Sequence, residues 1–254
     1  MTKPMFPWLG AKTRLAPKLL PLFDNQHTTY VEPFAGGGGM FFQRPEPSRV
    51  EVLNDINGEL VNLYRVVQHH LDEFIRQFRW ALTSRQVFLW EQQRVPESLT
   101  DIQRAARWYY LQRLAFGGRA TGQTFGTSPK AGPRLNLLRL EEDLSAVHLR
   151  LAHVTIEHLD WRECIERYDR PETFFFLDPP YWKLAGYGVP FGWDQYEALA
   201  VAMRRLKGKA LLTLNDHPDI RALFAGLRTT RLTTHYTVGG GRGQPRSELA
   251  IRSW

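Results

Sequence analysis

Residues 29–39 read TYVEPFAGGGG, a short apolar run that leads into four consecutive glycines. A second run, residues 50–53 (VEVL), ends at Asn54 and Asp55. Runs of this length that end in glycine or in short polar residues are typical of buried strands. We therefore predict two strands joined by a glycine loop, with a helix between or beside them.

The rest of the chain continues this alternation of strands and helices. Apolar residues recur every three or four positions over residues 59–78 and 140–152, which predicts helices. Three further strand-like runs lie at residues 154–159, 173–177 and 210–214, each with polar or acidic residues at its carboxyl end. Strands that alternate with helices favour an α/β fold with a mainly parallel sheet.

The C-terminal third of the chain completes the predicted sheet. Asp194 and Glu197 fit a capping box for a helix that runs to Leu206. Residues 232–238 and 248–251 are strand-like and flank a glycine-rich loop, which predicts an antiparallel pair. The expected sheet is Rossmann-like and mostly parallel, with a C-terminal antiparallel hairpin.

The middle of the chain has a different character. Residues 79–139 are rich in arginine, glutamine and aromatic residues, and then lose periodicity through a series of glycines and prolines. This pattern predicts a helical piece followed by a loop. We expect residues 66–149 to form an inserted, mainly helical recognition domain, and residues 1–65 and 150–254 to form the catalytic domain.

The composition limits the classes of protein that fit. The 254 residues carry a net charge of +7, are 43% hydrophobic and include one cysteine, Cys164, which excludes an internal disulfide. No apolar run is long enough to span a membrane or to act as a signal peptide, so we expect a cytoplasmic protein. The positive charge favours a polyanionic partner such as nucleic acid.

Acidic residues end four of the predicted strands, at Glu32, Asp55, Asp160 and Asp178. The carboxyl ends of parallel strands meet at one edge of the sheet, where ligands bind in such folds. The glycine block lets backbone N–H groups approach a ligand, and Asp55 lies near the spacing at which an acidic residue reaches ribose hydroxyls. We therefore predict an adenosine-containing cofactor.

These residues also allow other interpretations. The glycines fit a flexible turn, and Asp55 and Asp160 fit N-caps of the helices that follow them. A dinucleotide cofactor is disfavoured because Phe41 or Phe42 stands where the usual third glycine would be needed.

Residues 178–181 (DPPY) follow the apolar run TFFFL and are the most specific signal in the chain. The two prolines stiffen the turn and supply no N–H, so the turn aims the Asp178 carboxylate, the Pro179 carbonyl and the Tyr181 ring in fixed directions. An amino group on an aromatic ring is a poor nucleophile. The two oxygens can accept its hydrogens while Tyr181 stacks on the ring, which predicts methyl transfer to a nucleobase amine.

With these motifs in this order, the chain resembles the Dam family of DNA adenine-N6 methyltransferases. Residues 6–14 (FPWLGAKTR) and 32–38 (EPFAGGG) resemble the family's cofactor segments, and residues 54–64 (NDINGELVNLY) resemble its acidic motif. Residues 178–181 are similar to its catalytic tetrapeptide and residues 247–251 (SELAI) to its closing strand. The resemblance spans nearly the whole chain. It implies a Rossmann-like methyltransferase sheet, S-adenosylmethionine as cofactor, and DNA whose target adenine is flipped out of the helix.

The resemblance also assigns site residues. Asp178, Pro179 and Tyr181 would be catalytic, and Asp160 resembles a position that lines the pocket for the target base. Two of the implied cofactor-binding residues also fit other roles: Trp8 fits an aromatic residue of the hydrophobic core, and Lys12 fits a solvated charge on a helix. No metal site is expected. The implied cofactor-binding residues are Trp8, Lys12, Glu32, Phe34, Gly36, Gly38, Asp55, Asp160 and Asp178.

The inserted region is the expected DNA contact surface, because it interleaves arginines with aromatic residues that suit phosphate pairing and base stacking. Residues 112–122 (QRLAFGGRATG) resemble the family's recognition stretch in part, with Gly117 where asparagine is common, so we expect a target other than strict GATC. The aromatic candidates are Trp108, Tyr109, Tyr110, Phe116 and Phe125. The DNA-binding candidates are Arg113, Arg119, Lys130, Arg134, Arg242 and Arg246.

Two other functions remain as alternatives. Cytosine-N4 methylation uses the same amine chemistry, and a DNA-binding module with vestigial catalytic residues would keep the basic insert. Cytosine-C5 methylation is disfavoured, since Cys164 lies in a predicted helix without the rigid turn of a nucleophilic cysteine. No required protein partner is evident from the sequence.

Overall fold

The computed structural model of the chain describes residues 2–127, 135–184, 188–236 and 244–254. Within these ranges a single mixed sheet organises the molecule. Its strands are β1 (Thr29–Glu32), β2 (Val50–Asn54), β3 (Val154–Glu157), β4 (Thr173–Leu177), β5 (Lys209–Asn215), β6 (Arg228–Tyr236) and β7 (Gln244–Arg252).

The sheet has the order β3-β2-β1-β4-β5-β7-β6. The first five strands pair in parallel, whereas β7 lies antiparallel between β5 and β6. The predicted Rossmann-like sheet with a C-terminal antiparallel hairpin is therefore confirmed. The strand β6 begins earlier than expected, at Arg228, because its first residues (RTTR) are polar and lie at an exposed sheet edge where hydrophobicity gives no signal.

Helices cover both faces of the sheet. None among the described residues is long and apolar enough to cross a membrane. The helices are α1 (Ala16–Leu19), α2 (Gly58–His69), α3 (Leu71–Arg76), α4 (Arg85–Gln93), α5 (Asp101–Leu114), α6 (Leu140–Leu151), α7 (Trp161–Tyr168), α8 (Trp193–Arg205) and α9 (Pro218–Leu223).

The prediction of one helix over residues 59–78 was wrong. The backbone leaves the helical conformation at His70 (φ −134°, ψ 39°), which separates α2 from α3. The break redirects the chain so that Phe74 and Phe78 pack edge to face against Tyr109 of α5. Hydrophobic periodicity continues through such a break because both helices bury an apolar face.

The predicted capping box at Asp194 and Glu197 was also wrong. Helix α8 begins two residues earlier than that cap implies, and its N-cap is Gly192, which makes no side-chain cap. The Asp194 carboxylate instead accepts a hydrogen bond from Gln195, and Glu197 accepts one from the Trp193 indole. The helix ends at Arg205, as its pattern predicted to within one residue.

The inserted region shares a core with the catalytic part of the chain. Helix α2 packs against α5, and the expected domain boundary at residue 65 falls inside α2. The aromatic candidates Trp108, Tyr109 and Tyr110 are buried, with 6%, 2% and 4% of their surface exposed. They therefore serve the core, and the expectation that they stack on DNA bases was wrong.

Candidate active site

The four acidic strand ends meet at one cavity, as the parallel topology predicts. Glu32 ends β1, Asp55 follows β2, Asp160 follows β3 and Asp178 follows β4, and all four line it. The cavity has an empty volume of about 1090 Å³ including its open mouth. From β1 the sheet extends through β2 and β3 on one side and through β4 and β5 on the other, so the strand order reverses direction at β1. The cavity lies at this switch point, which is the usual position for a ligand in open α/β sheets.

Asp55 ties the glycine loop to the start of α2. Its Oδ2 accepts from the Gly36 N–H at 2.8 Å and its Oδ1 from the Asn57 N–H at 2.9 Å. Burial raises the pKa of Asp55, and the two backbone N–H groups oppose that rise. The N-cap of α2 is Asn57, which accepts from the N–H groups of Glu59 and Leu60. The alternative role of Asp55 as this cap is therefore excluded.

Trp8 covers the glycine loop. Gly36 has φ +48°, and a Cβ placed there would lie 2.5 Å from Nε1 of Trp8. Trp8 lines the cavity and also packs against Phe6 and Trp108, so it joins the cavity wall to the core. Gly36 must remain glycine because both its backbone conformation and the indole exclude a side chain.

Gly38 has a different place from the one expected. A Cβ at Gly38 would lie 2.8 Å from the Phe42 ring and 3.1 Å from the Tyr64 hydroxyl, and Gly38 does not line the cavity. Its φ of +65° lets the loop turn back over the core. The loop presents Gly36, Gly37 and Gly39 to the cavity, and the assignment of Gly38 as a cofactor contact stays a prediction.

Asp178 is held by two side chains from distant parts of the sequence. Its Oδ2 accepts from Nζ of Lys12 at 2.8 Å, and its Oδ1 accepts from Oγ1 of Thr213 at 2.8 Å. Burial raises the pKa of Asp178, and Lys12 is the strongest influence that lowers it. The Lys12 side chain is 1% exposed and also donates to the Gly10 carbonyl. The alternative role of Lys12 as a solvated helix charge is therefore excluded.

The other residues of the turn at 178–181 are also held by side chains from distant parts of the sequence. The Tyr181 hydroxyl donates to Glu248 of β7, and Nζ of Lys12 lies 4.6 Å from the centre of the Tyr181 ring. The Pro180 carbonyl accepts from the Tyr196 hydroxyl at 2.7 Å, while Pro179 is buried. Tyr181 is only 6% exposed.

Asp160 is the N-cap of a helix and also lines the cavity. Its carboxylate accepts from the Arg162 N–H at 2.9 Å as the N-cap of α7, and the same residue lines the cavity. Phe34 lines the cavity too, and packs against Trp161 and Phe191. The cap fixes where the Asp160 carboxylate points at the mouth of the cavity.

Glu32 is a buried acid in the cavity floor. It accepts from the Tyr30 hydroxyl at 2.6 Å, and burial raises the pKa of Glu32 to about 8. Because folding raises this pKa, the folded state favours the protonated acid. The free energy of unfolding should therefore fall as the pH rises from about 4.3 to about 8.

Glu32→Gln is expected to remove this pH dependence, since an amide has no proton to lose. The variant should gain stability relative to the parent protein when the pH is raised from about 6 to about 8.5. Urea unfolding at the two pH values measures the difference. Glu73→Gln, at an exposed position on α3, is the matched control. Parallel pH dependences of Glu32→Gln and the parent protein would contradict the assignment.

The cysteine is unsuited to nucleophilic chemistry. Cys164 is fully buried in α7, and burial raises the pKa of its thiol to about 12. A thiol in this environment is not ionised near neutral pH. This agrees with the exclusion of cytosine-C5 methylation.

The DNA-binding candidates are distributed unevenly. Arg119 is exposed, whereas Arg113 is half-buried and donates to the Met5 carbonyl at 3.2 Å. Among the aromatic candidates, Phe116 is 42% exposed. Lys130, Arg134 and Arg242 lie outside the described residues, as does the side chain of Arg246.

A Rossmann-like sheet with a glycine loop, converging carboxylates and a rigid Asp-Pro-Pro-Tyr turn defines this chain as a methyltransferase of the α/β class. The sequence profile of the D12 class N6 adenine-specific DNA methyltransferases matches residues 8–225, and the chain belongs to that family. The prediction of an enzyme that methylates N6 of adenine in DNA is thereby confirmed, in preference to cytosine-N4 methylation.

Individual relatives extend the likeness along nearly the full chain. The Type II methyltransferase M.CviBI of Paramecium bursaria Chlorella virus NC1A is 28% identical over 244 residues, which cover 92% of this chain and 91% of that protein. The DNA adenine methylase of Haemophilus influenzae is 24% identical over 256 residues, covering 93% of this chain and 87% of that protein. A family of methyltransferases implies use of S-adenosylmethionine.

Proposed function

We propose that the cavity at the carboxyl edge of the sheet binds S-adenosylmethionine, and that residues 178–181 hold the target adenine beside it. The observation that carries the proposal is the convergence of the glycine loop and the strand-end carboxylates on one cavity. Its size suits a nucleoside-sized ligand, and its lining combines aromatic walls with a few polar groups. The proposed cofactor-binding residues are Trp8, Lys12, Glu32, Phe34, Gly36, Asp55 and Asp160.

Each part of the lining fits a part of the cofactor. The Asp55 carboxylate is positioned by two backbone N–H groups at the end of β2, where an acidic residue can accept from ribose hydroxyls. Trp8 and Phe34 offer apolar faces to an adenine ring. When bound, S-adenosylmethionine supplies an electrophilic methyl group.

The chain's own residues would prepare the target amine. The Asp178 carboxylate and the Pro179 carbonyl accept its two N–H bonds, which favours a pyramidal nitrogen with its lone pair directed away from the ring. A carboxylate has about four lone-pair sites, so Asp178 can accept from the amine while Lys12 and Thr213 remain bound. Tyr181 would stack on the base.

Lys12 thus belongs to both halves of the proposed site. Lys12 lines the cofactor cavity, while its ammonium group lies against Asp178 and the Tyr181 ring. The positive charge opposes the rise in the pKa of Asp178 that burial causes, and so favours the ionised carboxylate that accepts hydrogen bonds from an amine.

Labelled cofactor provides the direct test. The protein is incubated with S-adenosylmethionine carrying a labelled methyl group and with unmodified DNA, which is then digested to nucleosides. Label in N6-methyl-2′-deoxyadenosine is the expected result. Label in N4-methyl-2′-deoxycytidine, or none, would contradict the proposal. Sequencing of the modified DNA maps the target.

Asp55→Ala is expected to weaken cofactor binding by about 1 to 3 kcal/mol, because one ribose acceptor and the brace of the glycine loop are lost. Calorimetric titration with S-adenosylhomocysteine measures the change. Asp101→Ala, in the first turn of α5, removes an exposed carboxylate and serves as control. Unchanged affinity in Asp55→Ala would restrict Asp55 to a structural role.

We propose that residues 66–149 recognise DNA, with Arg119 and Phe116 at the exposed surface and Arg113 behind them. The glycines at 117 and 118 cannot grip base edges, so we expect a short or relaxed target and affinity that falls steeply with salt. The further candidates are Lys130, Arg134, Arg242 and Arg246. Methylation confined strictly to GATC would refute the relaxed target.

Arg119→Ala distinguishes base contact from phosphate contact. If Arg119 binds a guanine, its loss costs about 1 to 3 kcal/mol and broadens the set of methylated sites. If Arg119 binds only phosphate, affinity falls evenly across sequences. Methylation mapping together with binding to several duplexes separates these results, and Arg94→Ala, at the C-cap of α4, is the control for a general loss of charge.

A further inference from the structure

The recognition loop, residues 115–125, is fastened to the N-terminal segment, residues 5–12, by one buried amide. Gln112 of α5 is fully buried. Its Nε2 donates to the Pro7 carbonyl at 2.8 Å and to the Gly118 carbonyl at 2.9 Å. Its Oε1 accepts from Nε2 of Gln123 at 2.8 Å. Both donor hydrogens are therefore used, and the side chain joins two backbone carbonyls and the side chain of Gln123.

Gly118 shows how close the loop lies to that segment. A Cβ at Gly118 would come within 2.9 Å of the carbonyl carbon and oxygen of Pro7. The Leu9 N–H also donates to the Gly118 carbonyl at 3.0 Å. Gly117, its neighbour, has a similar φ of +73° but nothing within 4 Å of a built Cβ. The contact is therefore specific to residue 118.

The same N-terminal segment forms one wall of the cofactor cavity. Trp8 lies between Pro7 and Leu9, and its indole packs on Gly36. Lys12 follows and binds Asp178. A displacement of Trp8 or Lys12 is thus transmitted through backbone hydrogen bonds to Gly118, the residue beside Arg119.

We propose that Gln112 is a positioning residue that couples the recognition loop to the cofactor cavity, so that cofactor binding and target binding strengthen each other. If the recognition loop shifts while the N-terminal segment stays in place, Nε2 of Gln112 is left as a buried donor without both of its acceptors. A buried donor without an acceptor costs free energy. The two pieces therefore move together. Coupling of this kind is reciprocal, so DNA must raise cofactor affinity by the factor by which cofactor raises DNA affinity. This inference rests on the proposed function.

The test measures the dissociation constant of S-adenosylhomocysteine with and without a duplex that carries the mapped target. In the parent protein the duplex should tighten binding by roughly fivefold or more. Gln112→Met keeps the length of the side chain but removes its donors and its acceptor. We expect the tightening to fall to about twofold or less in Gln112→Met, while affinity without DNA stays within about threefold.

Gly118→Ala should lose the coupling in the same way because its Cβ pushes the loop off Pro7. Gly117→Ala carries the same backbone strain without the clash and should keep the parental coupling. If melting curves show that Gln112→Met does not fold, Gln123→Met replaces it. This variant removes one of the three hydrogen bonds of the Gln112 amide. It should therefore lose part of the coupling between the duplex and S-adenosylhomocysteine.

The outcomes separate this inference from the proposed function. Failure of the parent protein to bind S-adenosylhomocysteine refutes the proposed function and the coupling with it. Binding of both ligands without mutual tightening refutes the coupling alone. Full tightening in a folded Gln112→Met variant shows that Gln112 is not the link and overturns the proposal. Equal loss in Gly117→Ala and Gly118→Ala would assign the effect to strain and contradict it too.

Discussion

Asp178→Asn is expected to lower the rate of methyl transfer by roughly 10²–10³-fold or more, and to leave cofactor affinity within about tenfold. The carboxylate accepts from Lys12 and Thr213 at one end of the cavity, and the task proposed for it is to hold the target amine. Asparagine keeps the shape of the side chain but loses one acceptor oxygen and the negative charge. The amine then lacks a strong acceptor.

Asparagine is preferred to alanine here for a structural reason. Asp178→Ala should abolish transfer too, but it leaves the buried Lys12 ammonium with no acceptor from residue 178, at a cost on the order of 3 to 5 kcal/mol of stability, whereas the amide oxygen of asparagine can still accept from Lys12. Single-turnover rates and calorimetric titration with S-adenosylhomocysteine separate the loss of chemistry from any loss of binding. Asp72→Asn, on the exposed side of α3, should behave as the parent protein. A fully active Asp178→Asn variant would disprove the mechanism.

Lys12→Met is expected to cause the second large effect, a loss of activity that deepens as the pH falls. Burial already raises the pKa of Asp178, and Lys12 is the strongest influence that opposes the rise. Without the ammonium the pKa of Asp178 rises further, so the carboxyl is protonated at a higher pH. Since the ionised form holds the amine, the acidic limb of the rate profile shifts to higher pH.

The pH profile of single-turnover rates measures this shift. Lys18→Met is the control. It removes an exposed ammonium group on α1 that donates to a backbone carbonyl of β6, and it should leave the acidic limb of the rate profile in place. Stability should respond as well, because one partner of a buried ion pair is removed, at about 3 to 5 kcal/mol. An acidic limb at the parental position in a folded Lys12→Met variant would show that Lys12 does not control Asp178.

The sequence predicted those parts of the site that depend on neighbouring residues. The glycine loop, the acidic strand ends and the Asp-Pro-Pro-Tyr turn are local patterns, and the parallel sheet brings them together without further information. The break at His70 was missed because α2 and α3 bury the same kind of apolar face. Trp108, Tyr109 and Tyr110 were misread, since aromatic residues beside arginines fit a core helix as well as a nucleic-acid surface.

The contacts that the sequence did not predict join residues far apart in the chain. Thr213 and Lys12 reach Asp178 from β5 and from the N-terminal segment, and Glu248 reaches Tyr181 from β7. Nothing in the local sequence shows which polar side chain will meet a buried partner. A buried acid in an otherwise apolar strand, as Glu248 is in SELAI, is the one signal that pointed to a polar contact.

The place of β7 between β5 and β6 sets an order of assembly. Strand β6 precedes β7 in the chain, yet β7 is the strand with which it pairs, so β6 joins the sheet only once β7 is in place. Glu248, which anchors Tyr181, lies in β7. We expect a chain truncated before β7 to carry the glycine loop and the turn without this anchor. Completion of the sheet and completion of the candidate active site are thus one event in folding.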